Sequence, residues 1–251
     1  MRVATFNIFS GRTPRQDPAD ADRLSAAIRL LDADLLGLQE VDRDQPRSGR
    51  IDHTAVAAEA MGARHHRFVP ALYGTPADPW ADAAAQERAG APAYGIAFLS
   101  RYDVSGWRVI RLPGAPVQVP HWSGGRLRPR WVVDEPRVAI VAEVATPRGR
   151  LDVVTTHLSF LRVWNRRQLH GLLAALGPLS RPTVLMGDLN MQPRPVQRVT
   201  GLEPLAAGRT FPAYAPVEQI DHILATPGVA PATGRVVELP VSDHRALVAD
   251  L

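Results

Sequence analysis

Thr183-Val184-Leu185-Met186-Gly187-Asp188-Leu189-Asn190 reads as a buried apolar strand that runs into a glycine and two polar residues. Taken singly, Gly-Asp-Leu-Asn fits a turn as well as a site, because Asp and Asn side chains bond their own backbone. The arrangement recurs, however. Phe6-Asn7, Leu38-Gln39-Glu40, Thr156-His157-Leu158-Ser159 and Ser242-Asp243-His244 also set polar residues at or just beyond the ends of apolar strands. Gln219-Ile220-Asp221-His222-Ile223 places an acid and an imidazole inside a strand-like run. Polar groups emerging at strand ends are where α/β proteins assemble their sites.

Outward from these segments, strand patterns cover Val3 to Ile8, Leu35 to Leu38, Gly95 to Leu99, Val104 to Ile110, Val138 to Val144 and Leu151 to Thr156. Further ones cover Thr183 to Met186, Ile220 to Leu224, Arg235 to Leu239 and Ala246 to Leu251. Helical spacing appears over Asp20 to Leu31, Ala55 to Met61 and Arg166 to Leu176, the last ended by Gly177-Pro178. Strands outnumber helices, and helices recur between them. This predicts a layered α/β protein with a large, mixed sheet system. No repeat and no linker divides the chain, so residues 1–251 are read as a single domain. Leu72 to Ala93 and the proline-rich Pro113 to Pro136 look irregular. The latter interleaves Trp122 and Trp131 with Arg126, Arg128 and Arg130, as nucleotide-contacting surfaces do, although a solvated excursion fits equally.

With 45% hydrophobic and 22% charged residues, the composition is that of an ordinary globular protein. No apolar run approaches the roughly 20 residues of a membrane-spanning helix. The N-terminus lacks the pattern of a secretory signal, so a cytoplasmic protein is expected. There is no cysteine, which excludes disulfides, thiolate metal sites and a cysteine nucleophile. All 29 basic residues are arginine, against 25 acidic ones, and the net charge of +4 is too small to imply a nucleic-acid-binding module without chemistry. The arginine bias is what a GC-rich genome produces; it also suits phosphate recognition.

The polar residues have a joint chemical logic. Asn7, Glu40, Asp188 and Asp243 offer hard oxygen ligands suited to Mg²⁺ or Mn²⁺. Zinc would call for histidine or thiolate clusters, and no HxH or HExxH spacing occurs. His157 and His244 can supply acid/base work and positive charge, and Asp221 can orient one of them by accepting its second ring proton. If Asp221 faces the site, strand alternation turns His222 away from it. Asn165 and Trp164, which follow His157 closely, are expected to reach substrate, and so is Arg101. Arg137 is a supporting candidate, while helix-cap or surface roles fit these residues as well.

These segments carry a family resemblance. TFNI, LQEVD, GIAFLSRYDV, TTHLS, GDLN, QIDHIL and SDHRAL, in that order from Thr5 to the C-terminus, resemble the endonuclease/exonuclease/phosphatase superfamily over nearly the whole chain. The resemblance implies a four-layer αββα sandwich, two mixed β-sheets packed face to face with helices outside, as in deoxyribonuclease I. It implies Asn7 and Glu40 as ligands of a Mg²⁺ or Mn²⁺ ion, with Asp243 a ligand or close supporter. Asp188 would position the attacking water and Asn190 would contact the phosphate. His244, held by Asp221, would act as base or bind phosphate; His157 would donate to a phosphate oxygen or protonate the leaving group. Abasic-site endonucleases have tyrosine where this chain has His157, which makes abasic-site repair less favoured. The implied function is metal-dependent hydrolysis of phosphoester bonds, by a nuclease or phosphodiesterase first. A small-molecule or lipid phosphomonoesterase is the alternative, and a non-catalytic phosphate- or nucleic-acid-binding protein the reading from another class. The substrate is a nucleic acid, a nucleotide or a phosphorylated small molecule or lipid head group, and a monomer is expected.

Overall fold

The computed structural model describes residues 1–13, 15, 17–75, 81–84, 88–116, 118–121, 130–229 and 233–251, with backbone alone for 118–121 and 130–133. Strand β1 (Arg2–Asn7) leads through a short turn to helix α1 (Ala21–Leu31), strand β2 (Leu35–Arg43) and helix α2 (His53–Met61). Strands β3 (His65–Tyr73), β4 (Ala81–Asp82), β5 (Ala93–Ser100) and β6 (Asp103–Leu112) follow. A hairpin of β7 (Gln118–His121) and β8 (Arg130–Val133) precedes the long pair β9 (Arg137–Thr146) and β10 (Gly149–His157). Helix α3 (Arg162–Leu176), strand β11 (Thr183–Asp188) and helix α4 (Pro193–Thr200) come next. Strands β12 (Glu203–Pro204), β13 (Asp221–Ala225), β14 (Thr233–Val237) and β15 (Ala246–Asp250) complete the chain.

Two sheets organise these strands. One has the order β14-β15-β1-β2-β5-β3-β4 and the other β12-β13-β11-β10-β9-β6. The pairs β1–β2 and β10–β11 are parallel and their other neighbours antiparallel, so both sheets are mixed. Alternation along the strands divides the apolar residues among three cores. Val3, Leu35, Phe98, Ile140, Val153, Met186, Ile223 and Leu247 fill the space between the sheets. Phe6, Leu36, Leu38 and Val248 turn outward onto Leu24, Ile28, Leu31, Ala57 and Met61 of α1 and α2. Val154, Leu185 and Leu224 turn outward onto Leu169 and Leu172 of α3 and Val196 of α4. The result is the four-layer αββα sandwich. No helix among the described residues is long and apolar enough to cross a membrane.

The helices begin where local chemistry favours them. The Asp20 side chain accepts from the backbone N–H of Asp22 and Arg23 at the start of α1, and Asp52 accepts from Ala55 at the start of α2. Several elements exceed their sequence-based bounds: β2 continues past Leu38 to Arg43, and α3 starts at Arg162 rather than Arg166. Leu72 to Ala93 contains the end of β3, β4 and the first residue of β5. Within Pro113 to Pro136, Trp122, Arg126 and Arg128 lie outside the described residues, as do the side chains of Arg130 and Trp131.

Candidate active site

The parallel strands β1, β2, β10 and β11 all point their C-terminal ends the same way, and β13 and β15 begin there because they run antiparallel to β11 and β1. Asn7, Glu40, His157, Asp188, Asp221 and His244 therefore converge at one end of the sandwich. Two local irregularities aim them. A bulge between Leu38 and Val41 breaks the β2–β5 register, and Glu40 adopts φ 54°, which swings its carboxylate out of the strand. Gly187 has φ 144°, and a Cβ there would collide with the Thr156 carbonyl, so only glycine lets β11 lie this close to β10.

A network of short bonds joins the convergent groups. The Asn7 amide donates to Glu40 Oε1 and to Asp188 Oδ2, both at 3.1 Å, while its Oδ1 accepts from the Phe9 backbone N–H at 3.0 Å. Asn7 thus turns nitrogen, not oxygen, toward the carboxylates in this arrangement, and ligation through Oδ1 would require the amide to turn over. Asp188 Oδ2 lies 3.5 Å from His157 Nε2 and 3.8 Å from His244 Nε2. His244 Nδ1 is 2.9 Å from Asp221 Oδ2, and the Phe211 ring packs against the imidazole with centroids 4.9 Å apart. His157 Nδ1 lies 3.2 Å from Arg137 Nη1.

Supporting contacts come from behind. Ser242 bonds the Asn7 carbonyl through its hydroxyl and the Arg12 carbonyl through its N–H, stitching the Asp243-His244 loop to β1. Beneath the site, Gln39 bridges Thr5 and Thr155 across the two sheets. Asp188 Oδ1 accepts from the N–H of Asn190, whose φ is 51°; the Asn190 amide in turn donates to Leu158 O at 2.9 Å. Asn165 is buried and donates to the Asn190 carbonyl, so it holds the Asp188–Asn190 turn from α3. Trp164 and Gln168 both donate to the Pro113 carbonyl, which ties α3 to the segment after β6.

One expected residue is elsewhere. Arg101 follows β5, which runs antiparallel to β2, and so emerges at the opposite end of the sheet from Glu40. There it donates to the Met61 carbonyl and to Asp32 Oδ1. Arg101 is not part of this site. Arg137, a supporting candidate from the sequence, does lie here beside His157, and two further groups that motif reading did not select are Phe211 and Asp134, whose carboxylate accepts from Ser159 Oγ and the Ala115 N–H. The arginine was legible as the charged start of an apolar strand; Phe211 gave no signal. His222 points away from the cluster and bonds Met191 O at 2.8 Å.

The electrostatics are those of under-compensated negative charge. Burial raises the carboxyl pKa of Glu40, against the opposing Asn7 hydrogen bond and with further help from Asp243. Burial also raises those of Asp188 and Asp243. For His244, burial opposes the charge, but Asp221, Asp188 and Asp243 outweigh it and raise its pKa to about 10. For His157, burial lowers the pKa well below the usual imidazole value, and Arg137 and His244 push it the same way. One imidazole is therefore a cation and the other neutral.

This donor set fits a hard divalent cation. Among the described residues, Asp221 Oδ1 is buried with no hydrogen-bond partner, and oxygen donors dominate. Ligand atoms of Asp188, Asp221 and His244 lie within 4.8 Å of one another. A cationic His244, already bonded to Asp221, is a poor metal ligand.

A mixed, two-sheet αββα sandwich with acids and imidazoles gathered at one strand end defines a class of phosphoester-hydrolase folds. The chain belongs to the endonuclease/exonuclease/phosphatase family, whose model matches residues 4–244. Members of this family generally use divalent metals to hydrolyse phosphoesters. An endonuclease/exonuclease/phosphatase from Beutenbergia cavernae is similar at 25% identity and TM-score 0.71, over 99% of this chain and 70% of that one. Sphingomyelinase C from Streptomyces griseocarneus shares the fold at 15% identity and TM-score 0.65, over 99% and 98% of the two chains. A mannosyl-6-phosphatase from Bacteroides thetaiotaomicron does so at 15% identity and TM-score 0.63, over 100% and 98%. No curated protein matches the chain.

Proposed function

We propose that this protein is a Mg²⁺- or Mn²⁺-dependent hydrolase of phosphoester bonds, a phosphodiesterase or nuclease, acting through in-line attack of water. The observation that carries the reading is the shared position of Asp188, 3.5 Å from His157 and 3.8 Å from a His244 that is itself held by Asp221. Residues 1–251 act as one domain in this reading, because the inter-sheet core draws on Val3 and Ala249 alike.

Glu40 and Asp243, with Asn7 beside them, would hold the cation, which supplies charge to polarise the phosphoryl group. Asp188 orients the attacking water and accepts its proton, a task suited to a carboxyl whose pKa is raised toward neutrality. His244 is held charged by Asp221, so it binds a phosphoryl oxygen rather than removing a proton. His157 donates from Nε2 to another oxygen. Asn190 reaches phosphate only if its amide leaves Leu158 O, and Asn165 supports that turn. These donors face a transition state with more negative charge than the ground state, which is where preorganised donors act most strongly.

The test is a metal-controlled screen. Plasmid DNA, single-stranded DNA, RNA, bis-p-nitrophenyl phosphate and p-nitrophenyl phosphate are each incubated with Mg²⁺, Mn²⁺ or EDTA. Metal-dependent cleavage of a diester is expected. Turnover of the monoester alone would replace the diesterase reading with a phosphatase. Silence on every substrate would favour a phosphate-binding protein instead.

A further inference from the structure

We propose that Arg137 is a positioning residue that locks His157 in its Nε2–H tautomer, so that this imidazole meets the phosphoryl group as a neutral hydrogen-bond donor. A guanidinium presents only N–H donors and does not deprotonate in proteins. Arg137 Nη1 lies 3.2 Å from His157 Nδ1, with both residues buried. That contact is attractive only when Nδ1 keeps its lone pair, since a proton there would meet an N–H head-on. The single ring proton of neutral His157 therefore sits on Nε2.

The other side of the ring agrees. Nε2 faces Asp188 Oδ2, an acceptor, at 3.5 Å. The Asn190 amide nitrogen lies 3.4 Å from the same Nε2, and if both are donors the contact is packing alone. Asn190 directs its amide to Leu158 O at the shorter distance of 2.9 Å, so it does not need the histidine as an acceptor. Arg137 is held in turn: it opens β9, which pairs with β10, and its Nη2 lies 3.7 Å from Glu135.

The two site imidazoles thus receive opposite partners at Nδ1. His244 faces a carboxylate and carries a proton there; His157 faces a cation and cannot. A doubly protonated His157 would set two buried positive charges 3.2 Å apart, which is strongly unfavourable at low dielectric. Charge is supplied by His244 and a directional neutral donor by His157. The tautomer stands on the apo geometry alone, while its use toward phosphate rests on the function proposed above.

Long-range ¹⁵N–¹H correlation spectra of the full-length, histidine-labelled protein test this without any substrate. His157 is assigned by comparison with His157→Gln. The expected signature is a protonated, pyrrole-type Nε2 and a bare, pyridine-type Nδ1. Arg137→Met should weaken that signature by letting a measurable fraction of His157 carry its proton on Nδ1, and lower kcat on bis-p-nitrophenyl phosphate roughly 10-fold or more with KM little changed, and Arg137→Lys should restore part of both. A protonated Nδ1 in the unsubstituted protein, or an unchanged signature in Arg137→Met, overturns the proposal. A raised KM with an intact tautomer does so too, by making Arg137 a substrate-binding group. If Arg137→Met does not fold, the spectrum of the unsubstituted protein decides alone. The expected signature in a protein that cleaves no phosphoester would sink the hydrolase reading and leave the lock standing.

Discussion

The two ends of the sandwich treat the same chemical groups in opposite ways. At the end where β1 begins and β15 finishes, Arg2 pairs with Asp250 at 2.7 Å, Arg235 pairs with the same carboxylate, and Arg101 meets Asp32 at 2.8 Å. These groups are partly exposed, and the bond from Arg2 pulls the Asp250 pKa down. At the other end, Asp188 is buried and Glu40 and Asp243 are half-buried, all three with pKa values pushed up. Matched charge at a surface contributes little and does nothing chemical. Unmatched buried charge is costly to the fold, and such groups cluster where a ligand or reaction uses them.

Substitutions at the two ends should therefore separate sharply. Asp188→Ala has the largest expected effect, a loss of turnover on the order of 10³-fold with the fold intact by circular dichroism. His244→Ala and Asp221→Asn should each lower kcat by on the order of 10²-fold; rates near normal in both would remove the charged-imidazole role. Glu40→Gln should weaken Mn²⁺ binding in calorimetry and lower activity with it, and unchanged affinity would move the cation elsewhere.

A smaller effect concerns stability rather than rate. Burial lowers the His53 pKa to about 4, so between pH 6.5 and 4 the unfolded chain binds a proton that the folded one refuses. That contribution to stability is complete above pH 6.5 and declines as pH falls, by roughly 3 kcal/mol in all. His53→Gln keeps an acceptor for the Asp42 N–H and should flatten this part of the urea-denaturation profile relative to the unsubstituted protein. Parallel profiles would refute it. The smallest change is expected for Arg101→Gln, within about 1 kcal/mol of stability and with no change in rate.

Much of this contrast was legible in the sequence, but not all of it. Gly187-Asp188 and Thr156-His157 announced themselves because apolar strands end there in residues with site chemistry. The strand His65–Tyr73 was hidden by His65, His66 and Arg67 at its exposed start, and helix Pro193–Thr200 by two prolines and a single buried residue, Val196. The positive φ of Glu40 arises from a register shift between two strands, which no local pattern encodes. Arg101 and Arg137 both adjoin apolar strands. Only strand direction separates them, one leaving its sheet at the far end and the other entering its sheet beside His157.

Initial rates on bis-p-nitrophenyl phosphate, measured for the unsubstituted protein, Asp188→Ala and Arg101→Gln with Mg²⁺, Mn²⁺ and EDTA, decide whether the buried carboxylate end and a divalent cation carry the chemistry. Metal-dependent turnover is expected, abolished by EDTA, absent in Asp188→Ala and retained in Arg101→Gln. Turnover that survives EDTA, or that Asp188→Ala keeps, would contradict it.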